Sequence, residues 1–247
     1  MKMDYNDTIG IGCDGAESLG EGLRQNMEAS VDFVKRVAEK VPGIILENCS
    51  SGGHKLEPLM MSLTSMASFS DAHETEEIPI VAANLHRAIL PRQSQIWAVI
   101  RQTDSLKRIA YSVANTFLGR MCLSGDVTEL TEEQWNVIDN GIAFYKKIAP
   151  IIKEGYTYRV GPKVTSERHP QGWQGVVRVG ENGEAYVLIH CFYGELPEYI
   201  EITLPEGCPT NIASTYSDTD IEVKIEGNVL KYRTSDVMKA AAVYLTK

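Results

Sequence analysis

The chain has 247 residues, a formal net charge of −9 and 43% hydrophobic residues, a composition typical of a globular protein with one large domain or two modest ones. The acidic balance argues against binding to nucleic acid or to an anionic membrane surface, because both need a basic face. No apolar run reaches the roughly 20 residues that a membrane helix requires.

Up to about residue 155, short apolar runs alternate with segments of helical periodicity. A strand end at 2–6 precedes a Gly-rich loop and a helix that Pro42-Gly43 stops. The apolar run 43–49 is typical of a strand buried on both faces. Further strands are predicted at 96–100 and 121–123, and further helices at 76–88, at 105–117 and after the capping box formed by Thr131 and Gln134.

Alternating strands and helices predict parallel strands with right-handed crossovers, either in an open sheet or in a TIM barrel. The polar residues follow successive strands: Asp4, then 49–53, then Asp71. A TIM barrel builds its active site at the C-terminal ends of several strands, which favours the barrel. A full barrel needs about 250 residues, so residues 1–155 predict an α/β domain with part of a (β/α)8 barrel, about strands four to eight.

Residues 156–247 contain β-type runs separated by turns, with hairpin turns indicated at 180–183 and 226–228. This pattern predicts a small antiparallel β-sandwich domain. We see no exposed aromatic row here that could stack against sugar rings. A carbohydrate-binding module formed by 156–247 nevertheless remains an alternative function.

Two carboxylates could carry chemistry, Asp4 and Asp71, each near the end of a predicted strand. Glycosidases place two carboxylic acids about 5–5.5 Å apart when stereochemistry is retained, one as nucleophile and one as proton donor. Lys2 points to the same side of the strand as Asp4 and could keep it ionised. An isolated Asp at a strand end, however, more often caps a helix or lies in solvent.

Three ordered motifs resemble those of glycoside hydrolase family 36, the melibiase α-galactosidases. Lys2–Asn6 (KMDYN) resembles the nucleophile motif KWDMN, and Glu47–Glu57 (ENCSSGGHKLE) resembles ESCASGGGRFD. Ser70–Glu74 (SDAHE) resembles the acid/base motif SDNTD. The chain departs from these patterns at Met3, Lys55 and Glu57.

This resemblance implies a retaining hydrolase of terminal α-galactosides, with Asp4 as nucleophile and Asp71 as acid/base. It also implies a small carbohydrate substrate and neither a metal nor an organic cofactor. The residues that would line the galactose subsite are Lys2, Asn6, Cys49 and Gly52.

Other interpretations of the same residues stay open. Cys49 could be a small buried hydrophobe, 51–53 could be only a turn, and His73 is expected to lie in a solvated loop. The five cysteines form no C-x-x-C pair, which predicts reduced thiols in a cytoplasmic protein. As an alternative to an active enzyme, the chain could be a fragment or subunit that needs a complementary N-terminal half-barrel or self-association.

Overall fold

The computed structural model describes residues 1–4, 12–72 and 75–247. Within them, the chain forms two compact units, Met1–Asp71 and Ala72–Lys247. The predicted subsite residue Asn6 and the predicted loop residue His73 lie outside the described residues. None of the helices within the described ranges is long and apolar enough to cross a bilayer.

The first unit contains a small parallel sheet with helices between its strands. Its elements are β1 (Lys2–Met3), α1 (Leu19–Lys40), β2 (Glu47–Asn48), the single turn α2 (Ser50–Gly53), α3 (Pro58–Leu63) and β3 (Met66–Ser68). Strand β2 pairs in parallel with both β1 and β3, with Lys2 and Met66 as the partners of Glu47. The predicted parallel strands are confirmed at these positions.

Helix α1 packs on this sheet through one apolar stripe. Ser18 caps its N-terminus by accepting a hydrogen bond from the backbone N–H of Glu21, and the helix ends just before Pro42, as predicted. The buried core that it shares with the sheet and with α3 consists of Met3, Val34, Leu46 and Met60.

The second unit begins with a further parallel strand pair and its helices. The elements are α4 (Ile78–Leu85), β4 (Ser94–Ile100), α5 (Leu106–Asn115), a 3₁₀ turn (Thr116–Leu118), β5 (Arg120–Gly125) and α6 (Glu132–Glu154). Strands β4 and β5 are parallel over their six paired positions. The predicted capping box is confirmed, since Thr131 and Gln134 exchange side chain to backbone hydrogen bonds at the start of α6.

Antiparallel strands make up the rest of this unit. They are β6 (Tyr156–Val160), β7 (Trp173–Val179), β8 (Ala185–Cys191), β9 (Ile200–Thr203), β10 (Asn211–Tyr216), β11 (Glu222–Glu226), β12 (Val229–Arg233) and β13 (Lys239–Thr246). One sheet has the order β10-β13-β8-β7-β6 and the other β11-β12-β9. Side chains of both sheets share one buried core, among them Val177, Ile189, Ile202 and Leu230. The predicted antiparallel sheets are therefore confirmed.

Strand β6 was not predicted, and it corrects one expectation about this region. Tyr156 and Tyr158, two residues apart on this edge strand, are 64% and 43% exposed. The sequence indicated no exposed aromatic row in this region. Alternate residues of a strand face the same side, so the rings of Tyr156 and Tyr158 form a short aromatic row.

The described elements confirm a mixed α/β chain in which parallel strands precede antiparallel sheets. The more specific assignment of a partial barrel, and the division into residues 1–155 and 156–247, stay predictions.

Candidate active site

Among the predicted site residues that the structure describes, Lys2 lies in β1 and the others follow strands of the first unit. Asp4 directly follows β1, Cys49 directly follows β2, and Asp71 comes three residues after β3. Because the three strands are parallel, their C-terminal ends lie along one edge of the sheet. Both acids are exposed at that edge, so that a ligand can reach them.

Three neighbours orient the Asp4 carboxylate. The Lys2 ammonium lies 3.8 Å from Oδ2, and the backbone N–H of Ser51 donates to Oδ1 over 3.4 Å. The Cys49 thiol hydrogen-bonds to the same carboxylate. Two of these neighbours come from the segment after β2, so this segment fixes the side chain that follows β1.

Turn α2 has an unusual backbone. Ser50, Ser51, Gly52 and Gly53 have φ values of 56°, 52°, 57° and 116°, all in the left-handed region. For a residue with a side chain this conformation costs about 1–2 kcal/mol, so the two serines are strained. The buried Asn48 amide helps to close the segment by donating to the carbonyl of Lys55 over 2.6 Å.

Gly52 brings the turn against the segment that carries the second acid. A Cβ atom at this position would lie 2.3 Å from the carbonyl carbon of Ser70 and 2.4 Å from the backbone nitrogen of Asp71. Only a glycine fits in that space. Adjacent residues of one turn thus contact the two acids, Ser51 at Asp4 and Gly52 at Asp71.

The Cys49 thiol is buried, and its pKa is shifted. Burial raises the pKa, and the hydrogen bond to the Asp4 carboxylate raises it further. The group therefore stays a neutral thiol at neutral pH and donates a hydrogen bond to the Asp4 carboxylate. This confirms that Cys49 is buried and adds a polar role that a purely hydrophobic interpretation lacks.

Sequence reasoning gave no role to Glu47 or Ser68, although both belong to the site. Glu47 Oε1 lies 3.9 Å from Lys2 Nζ, and the Ser68 hydroxyl donates to the same oxygen over 2.7 Å. One feature of the sequence could have indicated them. Glu47 is a charged residue inside the apolar run 43–49, and such a residue needs a partner on a neighbouring parallel strand.

A groove of 1160 Å³ in the first unit lies apart from the two acids. Its walls include the exposed apolar side chains of Met27, Phe33 and Leu59, and neither Asp4 nor Asp71 is among its lining residues. This groove is an exposed apolar face of α1 and α3. We place the candidate site at the strand ends instead, because both carboxylates, Asp4 and Asp71, lie there.

Over residues 1–4, 12–72 and 75–247, no three or more His, Cys, Asp or Glu side chains form a group that could hold a metal ion. All five cysteines, which lie within these ranges, are free thiols.

Comparison with known proteins identifies the family of the chain. The model of the Melibiase family matches residues 2–155, so the chain belongs to the Melibiase family. More particularly, its relatives are α-galactosidases of glycoside hydrolase family 36, and the resemblance found in the three motifs is confirmed.

Two curated relatives are similar over most of the chain. Alpha-galactosidase AgaA of Geobacillus stearothermophilus is 26% identical over 174 residues, which are 65% of this chain and 23% of the relative. Alpha-galactosidase 1 of Pediococcus pentosaceus is 24% identical over 165 residues, 62% of this chain and 21% of the relative. The chain therefore matches less than a quarter of the length of either protein.

Solved structures of AgaA from Geobacillus stearothermophilus are similar in fold. A variant in complex with 1-deoxygalactonojirimycin superposes with a TM-score of 0.77 at 17% identity, over 99% of this chain and 35% of that one. A variant in complex with raffinose gives 0.73 at 18% identity, over 100% of this chain and 35% of that one. At such identity the likeness shows a shared fold.

Proposed function

We propose that this chain carries the two catalytic carboxyl groups of a retaining α-galactosidase, with Asp4 as the nucleophile and Asp71 as the acid/base. The observation that supports this most directly is the α2 turn, whose adjacent residues Ser51 and Gly52 contact Asp4 and the backbone of Asp71. A turn that contacts the carboxylate of one acid and the backbone of the other at one sheet edge suits a double displacement across a single sugar ring.

In the first step, a carboxylate oxygen of Asp4 attacks the anomeric carbon of the galactoside. The carboxylic acid of Asp71 gives its proton to the glycosidic oxygen, the bond between that oxygen and the anomeric carbon breaks, and the leaving group departs as an alcohol. The galactosyl group is then held as an ester of Asp4.

In the second step, the Asp71 carboxylate takes a proton from a water molecule whose oxygen attacks the same carbon. The ester bond breaks, and Asp4 is restored as a carboxylate while Asp71 is again protonated. Two inversions at one carbon give galactose with retained configuration.

The other site residues orient the nucleophile and the sugar. Lys2, Cys49 and the backbone N–H of Ser51 surround the Asp4 carboxylate and fix the direction of its attacking oxygen. Gly52 lacks a side chain, so a sugar hydroxyl can approach the backbone there. Asn6, in the nucleophile motif, belongs to the same proposed subsite.

We assign the substrates as terminal α-galactosides, since solved relatives of the family were crystallised with raffinose and with stachyose. We further propose a partial barrel over residues 1–155 with a β-domain over 156–247. The family match ends at 155 and helix α6 ends at Glu154, which supports this division. Free thiols at all five cysteines support a cytoplasmic location.

The alternative, that activity needs a complementary half-barrel or self-association, is supported by the groove beside α1. Its exposed apolar side chains resemble a surface that another chain or segment covers. Mixing the chain with the N-terminal barrel half of a family relative tests it. A gain in hydrolysis over the chain alone supports this alternative, and an equal rate contradicts it.

A carbohydrate-binding β-domain is a second candidate, and the exposed pair Tyr156 and Tyr158 favours it, since aromatic faces can stack on sugar rings. Titration of the full chain carrying Asp4→Asn with galactosides tests this candidate. It predicts a second binding event, besides that at the proposed active site, which the further changes Tyr156→Ser and Tyr158→Ser remove. A titration that these changes leave unaltered contradicts it.

The decisive test of the main proposal is the Asp4→Asn variant, assayed on an aryl α-galactoside. An amide cannot form the ester, so hydrolysis should fall by about a thousandfold or more. Asp14→Asn, at an exposed aspartate of the same unit, is the matched control and should keep the wild-type rate. Undiminished hydrolysis by Asp4→Asn would refute the assignment.

A further inference from the structure

The Lys2 ammonium lies between two carboxylates at nearly equal distances. It is 3.8 Å from Asp4 Oδ2 and 3.9 Å from Glu47 Oε1. Lys2 and Glu47 are register partners on β1 and β2, so their side chains lie next to each other across the two strands. Asp4 follows Lys2 by two residues, on the same side of the strand.

The two carboxylates differ in how firmly they are held. The Glu47 side chain is 12% exposed and accepts a hydrogen bond of 2.7 Å from the hydroxyl of Ser68, which is fully buried in β3. The Asp4 side chain is 42% exposed. A buried charge is screened less by water and salt than an exposed one, so Glu47 anchors the ammonium more firmly than Asp4 does.

This anchoring has a consequence for the nucleophile. A lysine has a flexible four-carbon stem and can form a direct ion pair with any carboxylate in reach. A direct, hydrogen-bonded pair with Asp4 would occupy the oxygen that must attack the sugar. Because Glu47 attracts it as well, the ammonium stays 3.8 Å from Asp4, where it orients the carboxylate without occupying that oxygen.

We propose that Glu47 and Ser68 are positioning residues of the hydrolase, which act by holding Lys2 midway between Glu47 and Asp4. The inference rests on the proposed role of Asp4 as the nucleophile. Glu47 lies on β2 and Ser68 on β3, while Lys2 lies on β1. Residues of β1, β2 and β3 together therefore position the attacking carboxylate of Asp4.

The kinetic test compares Glu47→Gln, Ser68→Ala and the double variant in hydrolysis of an aryl α-galactoside. Misplacing the group that orients the nucleophile should lower kcat by about 10- to 100-fold while KM stays within about threefold. The double variant should lose no more than Glu47→Gln alone, because both changes break one chain of contacts. Glu39→Gln, on the exposed face of α1, is the control and should change neither constant. An unchanged kcat in Glu47→Gln, or a loss confined to KM, overturns the inference.

A second readout does not depend on turnover. In a crystal structure of the Glu47→Gln chain, Lys2 Nζ should close onto Asp4 to a direct pair of about 2.8 Å. An unmoved Lys2 overturns the inference whatever the activity of the chain. The Asp4→Asn variant separates the two proposals. If it hydrolyses substrate normally, the proposed function fails. The position of Lys2 in the Glu47→Gln structure still decides the role of Glu47.

Discussion

At the scale of single residues, the candidate site depends on a few residues whose surroundings leave little freedom. Gly52 is the clearest case, since its φ of 57° and its contact with the backbone of Asp71 both exclude a side chain. The motif resemblance predicted that Gly52 lines the sugar subsite. The structure shows why this position needs a glycine: it packs closely against the segment that carries Asp71.

Gly52→Ala should lower both stability and activity. The added methyl group must displace the backbone of Ser70 and Asp71, and the left-handed φ adds strain, together about 1–3 kcal/mol in the free energy of unfolding. Urea unfolding and hydrolysis of an aryl α-galactoside measure the two effects. Gly20→Ala, in helix α1 where a Cβ has room, should instead stabilise the chain slightly. Wild-type stability and activity in Gly52→Ala would contradict the packing described here.

Buried His190 makes the stability of the second unit depend on pH. Burial lowers the pKa of His190 to about 3, and its ring lies edge-on to Tyr111 with the centroids 5.3 Å apart. In the unfolded chain its pKa is about 6.5, so below that pH the unfolded state binds a proton that the folded state does not. The free energy of unfolding therefore falls as the pH drops from about 6.5 toward 3, by up to about 1.4 kcal/mol per pH unit from this group.

The variant His190→Gln should remove this part of the pH dependence. Between about pH 6.5 and pH 5 the wild type should lose about 2 kcal/mol more than the variant, as measured by urea unfolding at both pH values. His169→Gln, at an exposed histidine, should behave like the wild type. Equal losses in wild type and His190→Gln would show that this imidazole does not carry the effect.

At the scale of elements, the sequence predicted the regular parts well and the irregular parts poorly. The capping box of α6 and the stop of α1 before Pro42 are local signals, and both are confirmed. Strand β6 was missed, and a turn at 51–53 was one of two open interpretations, without any sign of its left-handed backbone. An edge strand with exposed tyrosines lacks the usual apolar pattern, and two serines with left-handed φ go against local preference, so tertiary contacts must impose that turn.

Arg178 is a second feature of the fold that the sequence did not indicate. Its fully buried guanidinium donates to the carbonyls of Phe117 and Leu118, at the end of the helical segment that continues α5. It also donates to the hydroxyls of Thr157 and Tyr186. A cation at the C-terminal end of a helix is favourable, and this one ties the helix to strands β6, β7 and β8.

Replacing this arginine by an apolar residue of similar length should be costly. Arg178→Met removes the arginine's buried hydrogen bonds to the carbonyls of Phe117 and Leu118, and we expect the free energy of unfolding to fall by about 2–5 kcal/mol. Urea unfolding at neutral pH measures the change, with Arg168→Met at an exposed arginine as the control, expected within about 0.5 kcal/mol of wild type. A similar small effect for both variants would argue against a structural role for Arg178.

At the scale of the whole molecule, three motifs that lie apart in the sequence indicated the family. The resemblance depends on their order along the chain, so no single position carries it. Residues from three strands meet at one sheet edge because the strands are parallel, and this much followed from alternation alone. The contacts of Glu47 and Ser68 could not be predicted from this alternation, because they depend on the register between strands. The chain spans 35% of the AgaA structure in complex with 1-deoxygalactonojirimycin, so its own hydrolytic activity is the property to be measured.

Covalent labelling is the most direct test of the central claim, that Asp4 attacks the sugar while Asp71 serves as the acid. The chain should be treated with a 2-fluorinated α-galactosyl fluoride, which forms the galactosyl ester but releases it slowly, and then digested and mapped by mass spectrometry. We expect one label, on Asp4, and no label on the Asp4→Asn variant. A label on another residue, or a wild-type chain that hydrolyses galactosides without labelling at Asp4, would contradict it.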